Sequence, residues 1–189
     1  MESFSSSATV FAIILGIGVA RILSSSVAAF KSRNRAQLTW IPFVWASCIF
    51  IWQVQYWWAL VELPRLIEVW TLHSFLLLVG LALLLFVSAS LILPSDQLAE
   101  HEQLDELFER NGQWGLVSLS IYFLLAILTD WLLWNLSIFS AEGAINTTLA
   151  ALPILFVVSR SKRAQQVITV VNLPFSIWAA WVLSPAVYS

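Results

Sequence analysis

Charge is scarce in this sequence. Nine of its 189 residues are Lys or Arg and eleven are Asp or Glu, 11% in all. Soluble domains carry about 25%, because a water-facing surface has to be polar. With 60% hydrophobic residues and a mean hydropathy of +0.85, the surface of this chain is expected to face lipid. Other shortages exclude whole classes of chemistry. Cys48 is the only cysteine, which rules out an intrachain disulfide and any cysteine-built metal site. The only histidines, His73 and His101, fall at opposite ends of the predicted membrane region, so no histidine pair can hold haem or zinc in one plane. Lys31 and Lys162 are the only lysines and both lie in polar loops, which excludes a retinal Schiff base. Ser24, Ser25 and Ser26 have no histidine or lysine in the same segment to act as a base, so an intramembrane serine nucleophile is unsupported. No enzyme activity, cofactor or metal is expected. The formal charge of −2 and the division of basic residues between two short loops give no electrostatic footprint for nucleic acid.

What fills the chain instead is six long apolar segments. A helix needs about 20 apolar residues to cross the hydrocarbon core. On that scale the spans fall near 8–30, 38–61, 71–93, 114–138, 143–160 and 165–186, within a single integral membrane domain covering 1–189. The N-terminal MESFSSSATVF has no basic n-region, so the first segment is read as a retained helix. The fifth is the shortest and contains Pro153; if it re-entered instead of crossing, five spans would remain. The fold class is therefore an all-α polytopic bundle. Between spans three and four lies SDQLAEHEQLDELFERN, 95–111. Its Leu98, His101, Leu104, Leu107 and Phe108 repeat at near-helical spacing, and Ser95 or Asp96 is a suitable N-cap. The pattern predicts a short acidic amphipathic helix within a connector at 95–113.

Orientation follows from Lys and Arg, which short cytoplasmic loops retain. Lys31, Arg33 and Arg35 sit between spans one and two, and Arg160, Lys162 and Arg163 between spans five and six. Six spans put both loops in the cytoplasm, with the acidic connector on the same side and both termini outside, as in a bacterial inner membrane. Indole rings favour the interfaces. Trp57, Trp58, Trp70, Trp131, Trp134, Trp178 and Trp181 fall in the outer half, and Trp40, Trp45 and Trp114 at the inner ends.

Only Arg21 and Asp130 carry charge well inside the spans. A charge in hydrocarbon costs from a few to more than ten kcal/mol, so it usually faces protein or a wet path. Arg21 shares a helical face with Gly18, Ser24, Ser25 and Ala28, roughly 13 Å from the inner end. It is either an anion-attracting group in a cavity or a side chain that snorkels to the headgroups. Gln165, Thr169, Asn172 and Ser176 form a polar stripe on span six, level with Arg21 at Asn172, and Pro174 frees the Val170 carbonyl. In WQVQYWW, 52–58, Gln53 and Gln55 differ by about 200° around the helix and cannot both face one cavity. Trp45, Cys48, Trp52, Gln55, Ala59 and Glu62 share one face.

Two functions follow as expectations. The first is a small channel or transporter component, homo-oligomeric, that passes an ion, anions favoured, or a small solute along Arg21, Ser25, Gln53, Asp130, Thr169, Asn172 and Ser176. The second is an accessory or sensor protein that holds a lipophilic ligand, or a larger membrane complex, at Trp52, Gln55, Trp58, Trp131 and Trp178. The lipid bilayer is a partner in both, and the acidic 95–111 helix is a candidate contact for a cytoplasmic one.

Overall fold

The structure, a computed structural model, describes residues 2–34, 36–66, 71–95, 98, 103–134, 137 and 140–184. Arg35, Trp70, Asp96, Glu100, His101 and Glu102 lie outside the described residues, as do the side chains of Glu62, Arg65 and Trp134. Among the described residues the chain is all-helical. Helix α1 runs Glu2–Lys31, α2 Ile41–Leu66, α3 Leu72–Ile92, α4 Leu104–Leu107, α5 Gln113–Trp134, α6 Ala141–Val158 and α7 Lys162–Leu183. A π-turn at Phe108–Gly112 joins α4 to α5. Thr71 and Ser140 start α3 and α6, their hydroxyls accepting from the amides of Ser74 and Gly143 at 3.2 and 3.1 Å, as N-caps do.

Five helical stretches are long and apolar enough to cross a membrane: Thr9–Asn34, Leu72–Ile92, Leu104–Leu133, Ala141–Val158 and Lys162–Leu183. They fit an integral membrane protein. The predicted fifth segment is an unbroken helix of 18 residues, with Pro153 seated inside it and turned to the core. Helix α2 has 26 residues but is not among the five. Gln53, Gln55 and the N–H and O–H groups of Trp52, Tyr56, Trp57 and Trp58 lower its hydropathy.

Only part of the acidic connector is described. Ser95 and Leu98 are not helical, residues 96, 97 and 99–102 lie outside the described residues, and a helix runs from Leu104 through the π-turn into α5. Leu98, Leu104 and Phe108 are buried against the rest of the chain, and the Leu98 amide donates to the Ser32 hydroxyl at 3.0 Å. The Leu104 amide donates to the Gln37 carbonyl at 3.1 Å. Tertiary contacts thus take backbone donors that an isolated helix would have used.

Packing follows a seven-residue rhythm. On α1 and the 3-10 turn that follows it, Phe11, Leu15, Gly18, Ile22, Ser25, Ala29 and Ser32 are buried at alternating spacings of four and three. On α3 the positions are Ser74, Leu78, Leu81, Leu85, Ser88 and Ile92. Such a repeat keeps one seam facing its neighbours along a gently supercoiled bundle. The long helices neighbour one another in the order α1, α3, α5, α6, α7, α2 and back to α1, with α2 also touching α3. The ends of the bundle are unlike: Lys31, Arg33, Arg160, Lys162 and Arg163 gather at one, called here the basic end, with residues 103–112.

Helix α2 is the hub. Its Trp52 meets the Phe123 ring of α5 edge-on at 4.9 Å, and Trp45 meets Phe156 of α6 at 5.5 Å. Tyr56 reaches α3, where its hydroxyl donates to the Leu78 carbonyl at 2.8 Å. Edge-to-face rings of this kind add about 0.5–1.5 kcal/mol beyond their contact area. Trp52→Ala is therefore expected to lower stability by about 2 kcal/mol or more, measured by detergent-titrated unfolding, whereas Trp181→Ala, at an 84% exposed indole, should change it little.

Candidate functional site

In lipid, helices gain little from hydrophobic burial against each other, so packing and interhelical hydrogen bonds hold them together. The seams of α2, α3, α5, α6 and α7 have such bonds. Ser118 of α5 donates to the Leu84 carbonyl of α3 at 3.0 Å, and Ser120 to the Ala150 carbonyl of α6 at 2.8 Å. Trp45 Nε1 donates to Thr169 Oγ1 of α7 at 3.1 Å, and Asn172 Nδ2 to Cys48 Sγ at 3.2 Å. Gln165 Nε2 donates to the Ser159 carbonyl at 3.0 Å, tying α7 to the end of α6. Other hydroxyls bond the carbonyl four residues back, as Ser88 does to Leu84 at 2.8 Å and Thr129 to Leu125 at 2.7 Å.

Three buried polar side chains stand apart from this scheme. Ser25 Oγ, Ser176 Oγ and both amide atoms of Gln53 have no hydrogen-bond partner. Gln53 is the extreme case: it is 1% exposed and lies against Gly18, where a Cβ would fall on its amide nitrogen. A glycine at 18 is what lets the amide reach the α1 backbone. An unpartnered amide in such surroundings costs about 1–3 kcal/mol, so its retention marks it as a candidate for function.

The predicted path residues do not form one constellation. Thr169, Asn172 and Ser176 line the α2–α7 seam. Gln53 is five residues beyond Cys48, about 140° around α2, and faces α1 instead. Ser25 shares the inner seam of α1 with Gly18, while Ser24 is exposed and bonds its own helix. Arg21 is half-buried and donates to Ser95 Oγ beyond the end of α3, so its guanidinium reaches along the helix toward the basic end. Asp130 stands on the last turns of α5, away from the basic end. Among the described residues neither charge is ion-paired, and no three of His, Cys, Asp and Glu come together to hold a metal.

The ligand residues also divide. Trp52 is in the core. Trp131 and Trp178 are exposed on α5 and α7, with Trp178 stacked on Phe175 at 5.6 Å. Gln55 and Trp58 do share a site: a groove of about 570 Å³ between α2 and α7, walled by Phe50, Ile51, Val54, Ile177, Ala180 and Trp181, with Ser184 at one end. Trp181 and Ser184 escaped sequence reasoning. The signal available for them was the constant separation of α2 and α7 contacts, which no single sequence displays.

The whole arrangement defines an all-helical protein whose apolar helices fit a membrane. No family model, curated protein or solved structure matches the chain, so the site rests on its own geometry. Gln53→Met, which removes the unpartnered amide at similar volume, is expected to raise stability by about 1–3 kcal/mol. A fall in the detergent-unfolding midpoint would instead mean that the amide has a stabilising partner in the folded protein.

Proposed function

We propose that the chain is a six-span membrane protein that binds a lipophilic molecule bearing a small polar group in the groove between α2 and α7, as an accessory or sensor protein would. The observation that carries this reading is the groove itself. Ligand sites are typically 300–1,000 Å³, mostly apolar, with a few placed polar groups, and a groove of about 570 Å³ with the Gln55 amide and the Ser184 hydroxyl among apolar walls is of that kind. Trp58 and Trp181 offer flat apolar faces.

The sixth span in this reading is α2. At 26 residues it is roughly 39 Å long, more than the hydrocarbon core requires. Its two contacts with α7, Trp45–Thr169 and Cys48–Asn172, have the same separation of 124 residues, as two parallel helices running side by side must. Three crossings, α3, α5 and α6, then separate α2 from α7. With the basic loops in the cytoplasm, as in a bacterial inner membrane, the groove opens in the outer half and both termini lie outside.

A second reading is favoured by the unpartnered Gln53, Ser25 and Ser176: a channel or transporter component, homo-oligomeric, that passes an ion or small solute. Trp45, Trp52, Phe123 and Phe156 fill the interior of one copy, so in this reading the buried polar groups become wet only when helices shift.

The two readings separate experimentally. Mass spectrometry of detergent-extracted wild-type protein should find a co-purified lipophile that Gln55→Leu combined with Trp181→Ala retains at a few per cent of the wild-type level. Equal retention by both proteins sinks the groove reading. Chloride, potassium and proton flux should be absent from liposomes holding the wild-type protein. Flux that Arg21→Ala abolishes would favour the transport reading instead.

A further inference from the structure

At the basic end of the bundle an acidic segment lies across three other parts of the chain. Leu104 N donates to the Gln37 carbonyl at 3.1 Å, and Thr39 Oγ1 donates to Asp105 Oδ1 at 2.6 Å, both in the connection between α1 and α2. Lys162, the first residue of α7, lies 3.8 Å from Asp105 Oδ2 and 3.8 Å from Glu109 Oε1. Asp105 thus holds the α1–α2 connection with one oxygen and α7 with the other. Beneath these exposed contacts the same segment sends Leu104 and Phe108 into the core.

Phe108 is the outermost of a stack that leads inward. Its ring meets Phe156 edge-on at 5.7 Å, and Phe156 meets Trp45 at 5.5 Å. Trp45 holds Thr169, and one turn further on Cys48 accepts from Asn172, with the unpartnered Ser176 a turn beyond. Aqueous access from the basic end to the polar α2–α7 seam therefore meets Phe108 first. The joint between this segment and the membrane helix is the π-turn, whose last residue, Gly112, lies under the Phe108 ring where a Cβ would overlap it. A π-turn inserts one residue into the helical ladder, an irregularity found often at functional sites.

We propose that residues 103–112 are a latch that closes the basic end of the α2–α7 seam, held shut by Lys162 and pivoting at the π-turn. The division of forces suits a latch. Apolar contacts of Leu104 and Phe108 set where the segment seats. The ion pairs of Lys162, which is 73% exposed, are weak and screened by salt, so a charge change at the surface shifts the balance without damage to the bundle. The acidity of the segment follows from its place, because it covers an end where positive charge collects.

The chain carries its own reporter. Cys48, its only cysteine, is buried one turn further along α2 from Trp45, the inner member of the Phe108, Phe156 and Trp45 series. In the full-length protein in detergent, Lys162→Glu, which sets a carboxylate against Asp105 and Glu109, is expected to raise the rate of Cys48 modification by a charged methanethiosulfonate about tenfold. Lys162→Ala should raise it less. Lys162→Glu combined with Glu109→Lys re-forms one pair with its signs exchanged and should return the rate toward that of the wild type. Wild-type modification should itself quicken with added salt. An unchanged rate in Lys162→Glu overturns the latch. So does a fast rate that the exchanged pair leaves unrestored, because that identifies general loosening of the bundle. If Lys162→Glu loses its helical circular dichroism, Lys162→Ala and the salt series decide on the same terms.

Discussion

Every buried polar group in a helix bundle surrounded by lipid has to be answered from within the protein, because no water is at hand to do it. Most of this structure can be read as the answer to that constraint. Hydroxyls of Ser118, Ser120 and Tyr56 find carbonyls on neighbouring helices, and Trp45 and Asn172 find side chains across the α2–α7 seam. Each bond contributes about 0.6 kcal/mol in comparable bundles. Their larger effect is on register: a hydroxyl that must meet one carbonyl fixes how two helices slide and turn. Aromatic rings then fill what remains around α2.

Against that background the exceptions carry the information. Gln53 has four hydrogen-bonding positions and uses none, although Gly18 gives it room to approach the α1 backbone. A glutamine with only a packing role would be expected to find a carbonyl, as Gln165 does. The α2–α7 groove is a different kind of exception, a concave surface with amide, hydroxyl and indole groups at its edges. The two features lie on opposite sides of α2, one turned toward α1 and the other toward α7.

Much of the architecture was legible in the amino-acid order. Helix ends near 31, 72, 92, 158 and 183 follow from where apolar runs stop. The polar stripe on α7 stands on one face, as its spacing of four, three and four requires. The opposite facing of Gln53 and Gln55 followed from the same geometry. The connector was legible in part: its leucines and Phe108 suit an amphipathic helix, which residues 104–112 form, while Leu98 is not helical and gives its amide to Ser32. Arg21 was legible only as a pair of alternatives, since the direction of a long side chain depends on Ser95, 74 residues away. Trp181 and Ser184 became site residues only because α7 lies beside α2.

The hub position of α2 bears on the order in which the protein is made. It lies second among the long helices, yet α7, which Trp45 and Cys48 bond, emerges 124 residues later. At ordinary synthesis rates of about 5–20 residues per second that interval is on the order of ten seconds. During it α2 has α1, then α3 and α5, to shield Gln53 and Tyr56, while the face that will meet α7 waits. The α2–α7 seam thus closes only after the helices between them have been made, and α7 acts as the stave that joins α6 to α2.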